Sequence, residues 1–528
     1  MPHRPMNREQ QWILPPSLDE LLEASHPARF VGEYVDALEG KEWEEIGIDR
    51  HGEVMGAPSY HPRGLLGVWL YGFMTGVRSS RKLEAACREQ IPYLWLTGCQ
   101  RPDHVTLWRF YRGHRDGMRK LLKGTVRTAL KMGLVELAVQ AVDGTKVRAN
   151  AAKERTYDAP GLRRLLGRLE GAIDQLEAQN AAGEDSASAR LPEALQDPGA
   201  LRERVREAVA SLGGGERQKH INLTDQDARM MKTRQGFAVA YNAQAMVSPI
   251  AADGKESGML ITAACVVDEP SDSPQLAGMM EKAEENLGLR AEMTLADAGY
   301  HSGSSLDECA QRGQKVVMPE SQGPFLGNPY HKDRFVYHQA QDSYRCPQGH
   351  LLPFTRVKRT RNTMMRLYRG SGSLCRNCPA FGVCTTDKRH GRALEIGPHE
   401  SLLLSHRAWM RTQEAKGAYS LRKQLVEPVF GIIKEQQRSH RFLLRGLANV
   451  TAEWGLLAAA FNLRTLWRIW KSKFNGKKPD PSPASAQPPK GFTPQSWPGP
   501  ALYFPSSPSP HSLSALPLSP TIKPIHCL

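Results

Sequence analysis

VQAVDGTKVRA (residues 139–149) is an apolar run that closes on an acid: Leu137, Ala138, Val139, Ala141 and Val142 lead to Asp143, and Gly144 follows. The pattern reads as a buried strand that delivers a carboxylate at its end. MTLADAGYHSG (293–303) repeats the arrangement, with Met293, Leu295 and Ala296 before Asp297 and Gly299 after it. A third stretch, YSLRKQLVEPVFGIIK (419–434), carries Glu427 in a different setting, because Leu425, Val429, Ile432 and Ile433 recur around it at helical spacing. Two strands and a helix are therefore expected to converge on one site.

Carboxylates held together suit hard divalent cations, which take oxygen ligands and leave positions open for water and phosphate. Two such ions about 3.5–4 Å apart clamp the attacking and leaving oxygens of an in-line phosphodiester displacement. An Asp near a Gly at a strand end is, on its own, most often a turn residue. The third stretch shifts that balance. Tyr419, Arg422, Glu427 and Lys434 share one helical segment, and Glu427 and Lys434 lie two turns apart along one face. A carboxylate flanked by cations can hold a metal while the cations hold phosphates.

Those residues resemble the Tyr-x2-Arg…Glu-x6-Lys signature of the DDE-type bacterial insertion-sequence transposases, which have a ribonuclease-H-like catalytic core. Four residues, rather than the commoner three, separate Arg422 from Glu427, so Arg422 and Lys423 are alternatives for the phosphate contact. The resemblance runs from residue 20 to residue 470 and includes NLTDQDARMMKT (222–233) and EWGLLAAAFNLRTLW (453–467). It implies metal-dependent DNA strand cleavage and transfer, with Asp143, Asp297 and Glu427 as catalytic residues and ligands of two Mg²⁺ (or Mn²⁺) ions. Tyr419, Arg422 and Lys434 would contact DNA. The implied partners are double-stranded DNA, both element ends and target, and further copies of the chain in a homodimer or higher multimer.

Charge agrees with a polyanionic partner. The 528-residue chain has a formal net charge of +15, and its distribution is more telling than the total. Residues 101–131 hold nine Lys or Arg against two acids, and residues 401–475 hold thirteen against four. Such clusters fit a phosphate-tracking surface, although a solvated helix face has the same composition. No apolar run reaches about 18 residues and MPHRPMNREQQWILPP has no apolar signal core, so a cytoplasmic, nucleoid-associated protein without membrane contact is expected.

The expected fold class is α/β, a mixed ribonuclease-H-like sheet with an N-terminal helical domain and two insertions. Residues 1–135 read as helical. Pro62 opens a helix with the stripe Leu65, Leu66, Trp69, Leu70 and Phe73, Ser80 is placed to cap RKLEAACREQ, and Asp103 to cap HVTLWRFYRGHRDGMRKLLKG. This succession looks like a helix-turn-helix, in which Arg109, Arg112 and Arg115 would reach DNA, and it also occurs in ordinary bundles. Trp69 and Trp108 read as core residues rather than base-stacking ones. A catalytic domain over 136–470 would hold strands at Asp143, 236–248, 259–269, Asp297 and 314–319, with a helix SPQLAGMMEKAEEN before the fourth. His301 could reach the site, but a lone His there is more often structural.

The first insertion, 155–220, contains Leu162, Leu166, Leu169, Ile173 and Leu176 and then Leu201, Val205, Ala208 and Leu212, a helical hairpin serving packing, protomer contact or mere decoration. The second, 325–395, holds Cys346, Cys375, Cys378 and Cys384, whose Cys-x2-Cys spacing and surrounding Gly and Pro loops suggest structural zinc. Residues 475–528 are dominated by Pro and Ser and are expected to be disordered. Two other functions fit part of the pattern: a hydrolytic nuclease of the same fold, and a non-catalytic DNA-binding protein derived from a transposase.

Overall fold

Pro62 starts a helix because its fixed φ suits the first turn and its missing N–H is not needed there. The computed structural model, which describes residues 17–49, 59–181, 198–213, 220–233, 235–252, 255–320, 328–360 and 363–475, has that helix as the third of seven before the sheet. They are α1 (Pro27–Asp36), α2 (Gly40–Ile46), α3 (Pro62–Thr75), α4 (Ser80–Glu89), α5 (Ile91–Thr97), α6 (His104–Met118) and α7 (Leu121–Lys131). The expected stripe of α3 is wholly buried. Gly76 ends it at φ +80, where a Cβ would lie 2.8 Å from the Gln436 carbonyl oxygen, so both conformation and space demand glycine. The Pro- and Ser-rich tail lies outside the described residues.

Two expectations for these helices need correction. Ser80 falls inside α4, and the capping position passes to Ser79, whose hydroxyl makes no cap bond. The approach of the chain is instead fixed just upstream by Arg78, described below. Asp103 does cap α6, accepting from the Thr106 N–H at 2.8 Å. Trp69 is buried and stacks on Tyr111 at 4.5 Å, but Trp108 is 37% exposed. The buried line of α6 runs through Leu107, Tyr111 and Met118, and the next residue along is turned about 100° from Leu107.

The sheet is built from β1 (Val139–Arg148) and, after β2 (Thr156–Tyr157), α8 (Ala159–Ala181), α9 (Pro198–Gly213) and β3 (Ile221–Asn222), from β4 (Arg229–Thr233), β5 (Gly236–Ala252), β6 (Lys255–Val267), β7 (Met293–Leu295) and β8 (Lys315–Val317). Helix α10 (Leu276–Leu287) precedes β7 and α11 (Gly303–Gln311) precedes β8. The strand order is β6-β5-β1-β7-β8, with β4 sharing the β6 edge of β5. β5 and β6 run antiparallel in succession from β1, while β7 and β8 run parallel to it. α8 and α9 pack through Leu162, Leu169, Val205, Ala208 and Leu212, as a hairpin.

Strand side chains alternate between faces, and here each face has its own apolar cluster. Ala141, Ala245 and Leu295 join one with residues of α1–α6. Val142, Met246 and Ala296 join the other with α10 and α11. After β8 come a five-stranded antiparallel sheet, β9 (Val336–His338), β10 (Ser343–Arg345), β11 (Leu351–Thr360), β12 (Thr363–Arg369) and β13 (Ala393–Ile396), with α12 (Gly372–Arg376) before β13. The loop reading of that region missed these strands, since their core is only Phe335, Leu352, Tyr368, Leu394 and Ile396. The chain then forms α13 (Glu400–Met410), α14 (Gln413–Gly431), a π turn Ile432–Gln436, and α15 (Leu447–Asn475).

α15 is buried on every side from Ala452 to Leu463 and packs against β6, α3, α6 and α7. Its Asn462 donates to the Ile261 carbonyl and accepts from the Ile261 N–H, each at 2.8 Å. At the opposite side of the sheet the Trp409 Nε1–H donates to the Val316 carbonyl at 3.2 Å, and His406 Nε2 hydrogen-bonds the Met318 carbonyl at 2.9 Å. Arg78 and Glu453 form an ion pair at 2.6 Å with side chains 5% and 2% exposed. Glu453 also accepts from the N–H groups of Leu443 and Leu444, and Arg78 donates to the carbonyls of Arg438 and Arg441. Removing one partner strands the other charge in the core. Arg78→Met is expected to lower unfolding free energy by about 3–5 kcal/mol, and Arg78→Met with Glu453→Leu by much less; chemical denaturation of the three proteins checks it, and equal losses would contradict it.

Candidate active site

β1 and β7 pair in parallel with Ala141 level with Leu295. Asp143 and Asp297 each stand two residues further on, so the register brings them level at adjacent positions. Asp143 is not at the end of its strand as the sequence suggested. β1 runs on to Arg148 because its other neighbour, β5, stays paired through that residue, whereas β7 stops at Leu295. The carboxylate emerges where the parallel neighbour ends. By the same alternation Asp143 and Thr145 face the side of the sheet on which α14 packs.

From α14, Arg422 reaches both acids. Its Nη2 lies 2.9 Å from Asp143 Oδ2 and 3.6 Å from Asp297 Oδ2. The other oxygen of each acid accepts a nearby backbone N–H at 2.8 Å, Gly144 for Asp143 and Gly299 for Asp297. Arg422 is buried on the apolar face with Leu425, Val426 and Val429, and its Nε has no hydrogen-bond partner among the described residues. Burial pushes the Asp143 carboxyl up to about 6; Arg422 opposes this and the neighbouring charges of Asp297 and Asp272 add to it.

Asp272 is an acid the sequence reading passed over. Its Oδ1 accepts from Asn242 Nδ2 at 2.6 Å, Gln244 Nε2 at 2.8 Å and Lys146 Nζ at 3.1 Å. The Tyr300 hydroxyl hydrogen-bonds Gln244 Oε1. Gly144 fits against this cluster only because it lacks a side chain: a Cβ would lie 2.3 Å from Gln244 Nε2 and 2.7 Å from Asp272 Oδ1. At Gly299 a Cβ would meet Asp297 Oδ1 at 2.9 Å and Asp272 Oδ2 at 3.3 Å. The signal in the sequence was the pair Asn242 and Gln244, two amides two residues apart in an otherwise apolar strand and wholly buried.

The remaining expected residues lie on α14, the π turn, α6 and the segment that follows β7. Glu427 is exposed on α14 and makes no ion pair or side-chain hydrogen bond among the described residues. It stands five positions after Arg422 and so about 140° around the helix from it. Lys434, in the π turn, donates to Thr145 Oγ1 on β1. Tyr419 packs half-buried against the core, and Lys423 is exposed. On α6, Arg109 and Arg112 are exposed, and Arg115 folds back to donate to the Arg112 carbonyl at 2.9 Å. His301 lies beside His406, ring centres 5.7 Å apart and planes tilted by 40°.

Cys346, Cys375, Cys378 and Cys384 line one small cavity with Arg392 and His350. Backbone N–H groups of His350 and Arg392 point at the sulfurs of Cys346 and Cys375, at 3.3 and 3.5 Å. Among the described residues, no three His, Cys, Asp or Glu side chains already stand in a metal-binding arrangement, in this cavity or beside Asp143. For the acids, two carboxylate oxygens facing one cationic atom is nonetheless the donor set a hard divalent cation uses, since Mg²⁺ is commonly held by one or two carboxylates and completes its shell with water and phosphate. The Arg422 Nη2 occupies that cationic position.

Residues 345–467 match the Transposase DDE domain family, and residues 16–113 match the Transposase domain (DUF772) family. Both matches are to transposase families and support an insertion-sequence DDE transposase. The first match contains Tyr419, Arg422, Glu427, Lys434 and the four cysteines, while Asp143 and Asp297 lie outside both and are brought to the site by the sheet. No curated protein matches the chain. Its families act in DNA transposition, and DDE domains in general use divalent metal ions. No helix among its described residues is long and apolar enough to cross a membrane.

The Asp143 carboxyl has a definite pH signature. Its folded value, about 6, lies above its ordinary 3.8, so between these limits the folded state holds a proton that the unfolded state releases. Its contribution to stability is full below about pH 4 and falls by about 2–3 kcal/mol as pH rises to about 7. Asp143→Asn should flatten unfolding free energy against pH across that window; an unaltered profile would contradict the assignment.

Proposed function

We propose that this transposase binds the terminal repeats of its element, cuts DNA at their ends with divalent metal, and joins the freed 3′ hydroxyl to target DNA. The observation that carries the reading is the level placement of Asp143 and Asp297, with one oxygen of each turned to a single cation. The order β6-β5-β1-β7-β8, three antiparallel strands followed by two parallel ones, supports a ribonuclease-H-like core.

In this reading Asp143 and Asp297 hold the metal, Mg²⁺ or Mn²⁺, and Glu427 completes the ligand set when DNA is bound. A divalent cation held by these acids would supply an activated water and charge neutralisation at the scissile phosphate. Arg422 neutralises the acid pair before substrate arrives, and its remaining donors suit a phosphate oxygen. Lys434 stands beside β1 to contact a flanking phosphate. Asp272 positions Lys146 and the Asn242–Gln244 pair beneath the acids. Exposed Arg109 and Arg112, with Trp108 beside them, give α6 a surface for the DNA end, and Arg115 adds charge to it. The DNA complex contains more than one copy of the chain.

Asp143→Asn, Asp297→Asn and Glu427→Gln are each expected to abolish metal-dependent cutting of terminal DNA and to leave binding within a few-fold. Lys434→Ala should instead weaken binding and lower the salt slope by about one unit. Retained cutting in any of the three acid variants would remove that residue from the site, and products that are hydrolysed but never joined would favour the nuclease.

We further propose one structural zinc ion on Cys346, Cys375, Cys378 and Cys384. The support is that the four cysteines line one cavity, and zinc would draw their sulfurs into a tetrahedron with bonds of about 2.3 Å. Metal analysis of protein purified without chelator should give one zinc per chain, reduced by Cys378→Ser; zinc-free, folded protein would refute it.

A further inference from the structure

A strand usually hides one face, but residues 353–359 of β11 are exposed on both. With β12 they form a two-stranded ribbon whose inner end is anchored in the small core of Phe335, Leu352 and Tyr368. Its composition is one-sided: LLPFTRVKRTRNTMMRLYR (351–369) holds six Lys or Arg and no acid. Arg366 and Lys358 are steadied by Asp342 and Glu395, at 2.6 and 2.7 Å, and the Arg366 guanidinium lies over Phe354 at 4.6 Å. Arg356, nearer the middle, has no ion pair among the described residues. Register sets Val357 opposite Arg366 and Arg359 opposite Met364, so cations and apolar side chains mix along the exposed surface.

We propose that the β11–β12 ribbon is a second DNA-contacting element of this transposase, lying in a groove of duplex DNA and gripping its phosphates. The inference rests on the reading that the chain acts on DNA, and adds a surface outside α6 and the acid pair. Charge complementarity selects the partner. Six like charges repel a second ribbon, and protein interfaces are depleted in charge at their centres. The major groove, about 12 Å wide, admits a two-stranded ribbon. A ten-residue strand is about 33 Å long, enough to follow several phosphates.

The test uses the full chain and a short labelled duplex of arbitrary sequence, since phosphate contact needs no particular site. Arg356→Gln with Arg359→Gln should weaken binding and lower the slope of log affinity against log salt by about 1.8, at about 0.9 per lost contact. Arg356→Lys with Arg359→Lys should restore most of that slope. Wild-type protein that binds duplex while the glutamine variant keeps its full affinity and slope overturns the ribbon alone. Wild-type protein that binds no DNA overturns the function reading with it. A change in sedimentation without a change in DNA affinity would assign the ribbon to protomer contact and overturn the proposal.

Discussion

The Glu453 carboxylate is where separate parts of the chain are made to agree. Fully buried, it takes hydrogen bonds from Arg78 in the N-terminal half and from the backbone of Leu443 and Leu444. The segment so pinned also pairs with the end of β1: Arg148 N–H donates to the His440 carbonyl, and Phe442 N–H to that of Arg148. An ionised group without water must have its lone pairs filled. Satisfying that demand simultaneously orients the loop before α4, the chain beyond the π turn, and β1. Asp143, at the middle of β1, therefore inherits its position from a group on another part of the chain.

The sequence disclosed the site unevenly, and the reasons are physical. Apolar runs ending at Asp143 and Asp297 are local patterns, so both strands and the helix 276–287 could be read without knowing the partners. The two-residue equivalence of the acids depends on register between strands about 150 residues apart, which no local pattern carries. Arg422 was read as a phosphate ligand, yet its spacing to Leu425, Val426 and Val429 places it on the buried face of α14; a cation there must find an anion. Asp272 was passed over because its donors come from β1 and β5, far from it in sequence. The small sheet went unseen because short, exposed, basic strands lack the alternation that marks a half-buried one.

Two separate charge clusters meet at this end of the sheet. On one face Arg422 answers Asp143 and Asp297; on the other Lys146 and two amides answer Asp272. Gly144 and Gly299 let them approach each other. The tuning is incomplete at Asp143, whose raised value reflects more desolvation than one shared guanidinium offsets. A site with that residual demand has room for additional positive charge.

The outer strands of the sheet carry a different implication. Asn462 occupies both hydrogen-bonding groups of Ile261 on β6, and Trp409 and His406 occupy carbonyls along the β8 side. Unfilled, such groups are a template on which another chain can add a strand. Helix side chains have closed these positions, so Ile261, Val316 and Met318 offer no template for cross-chain β-pairing.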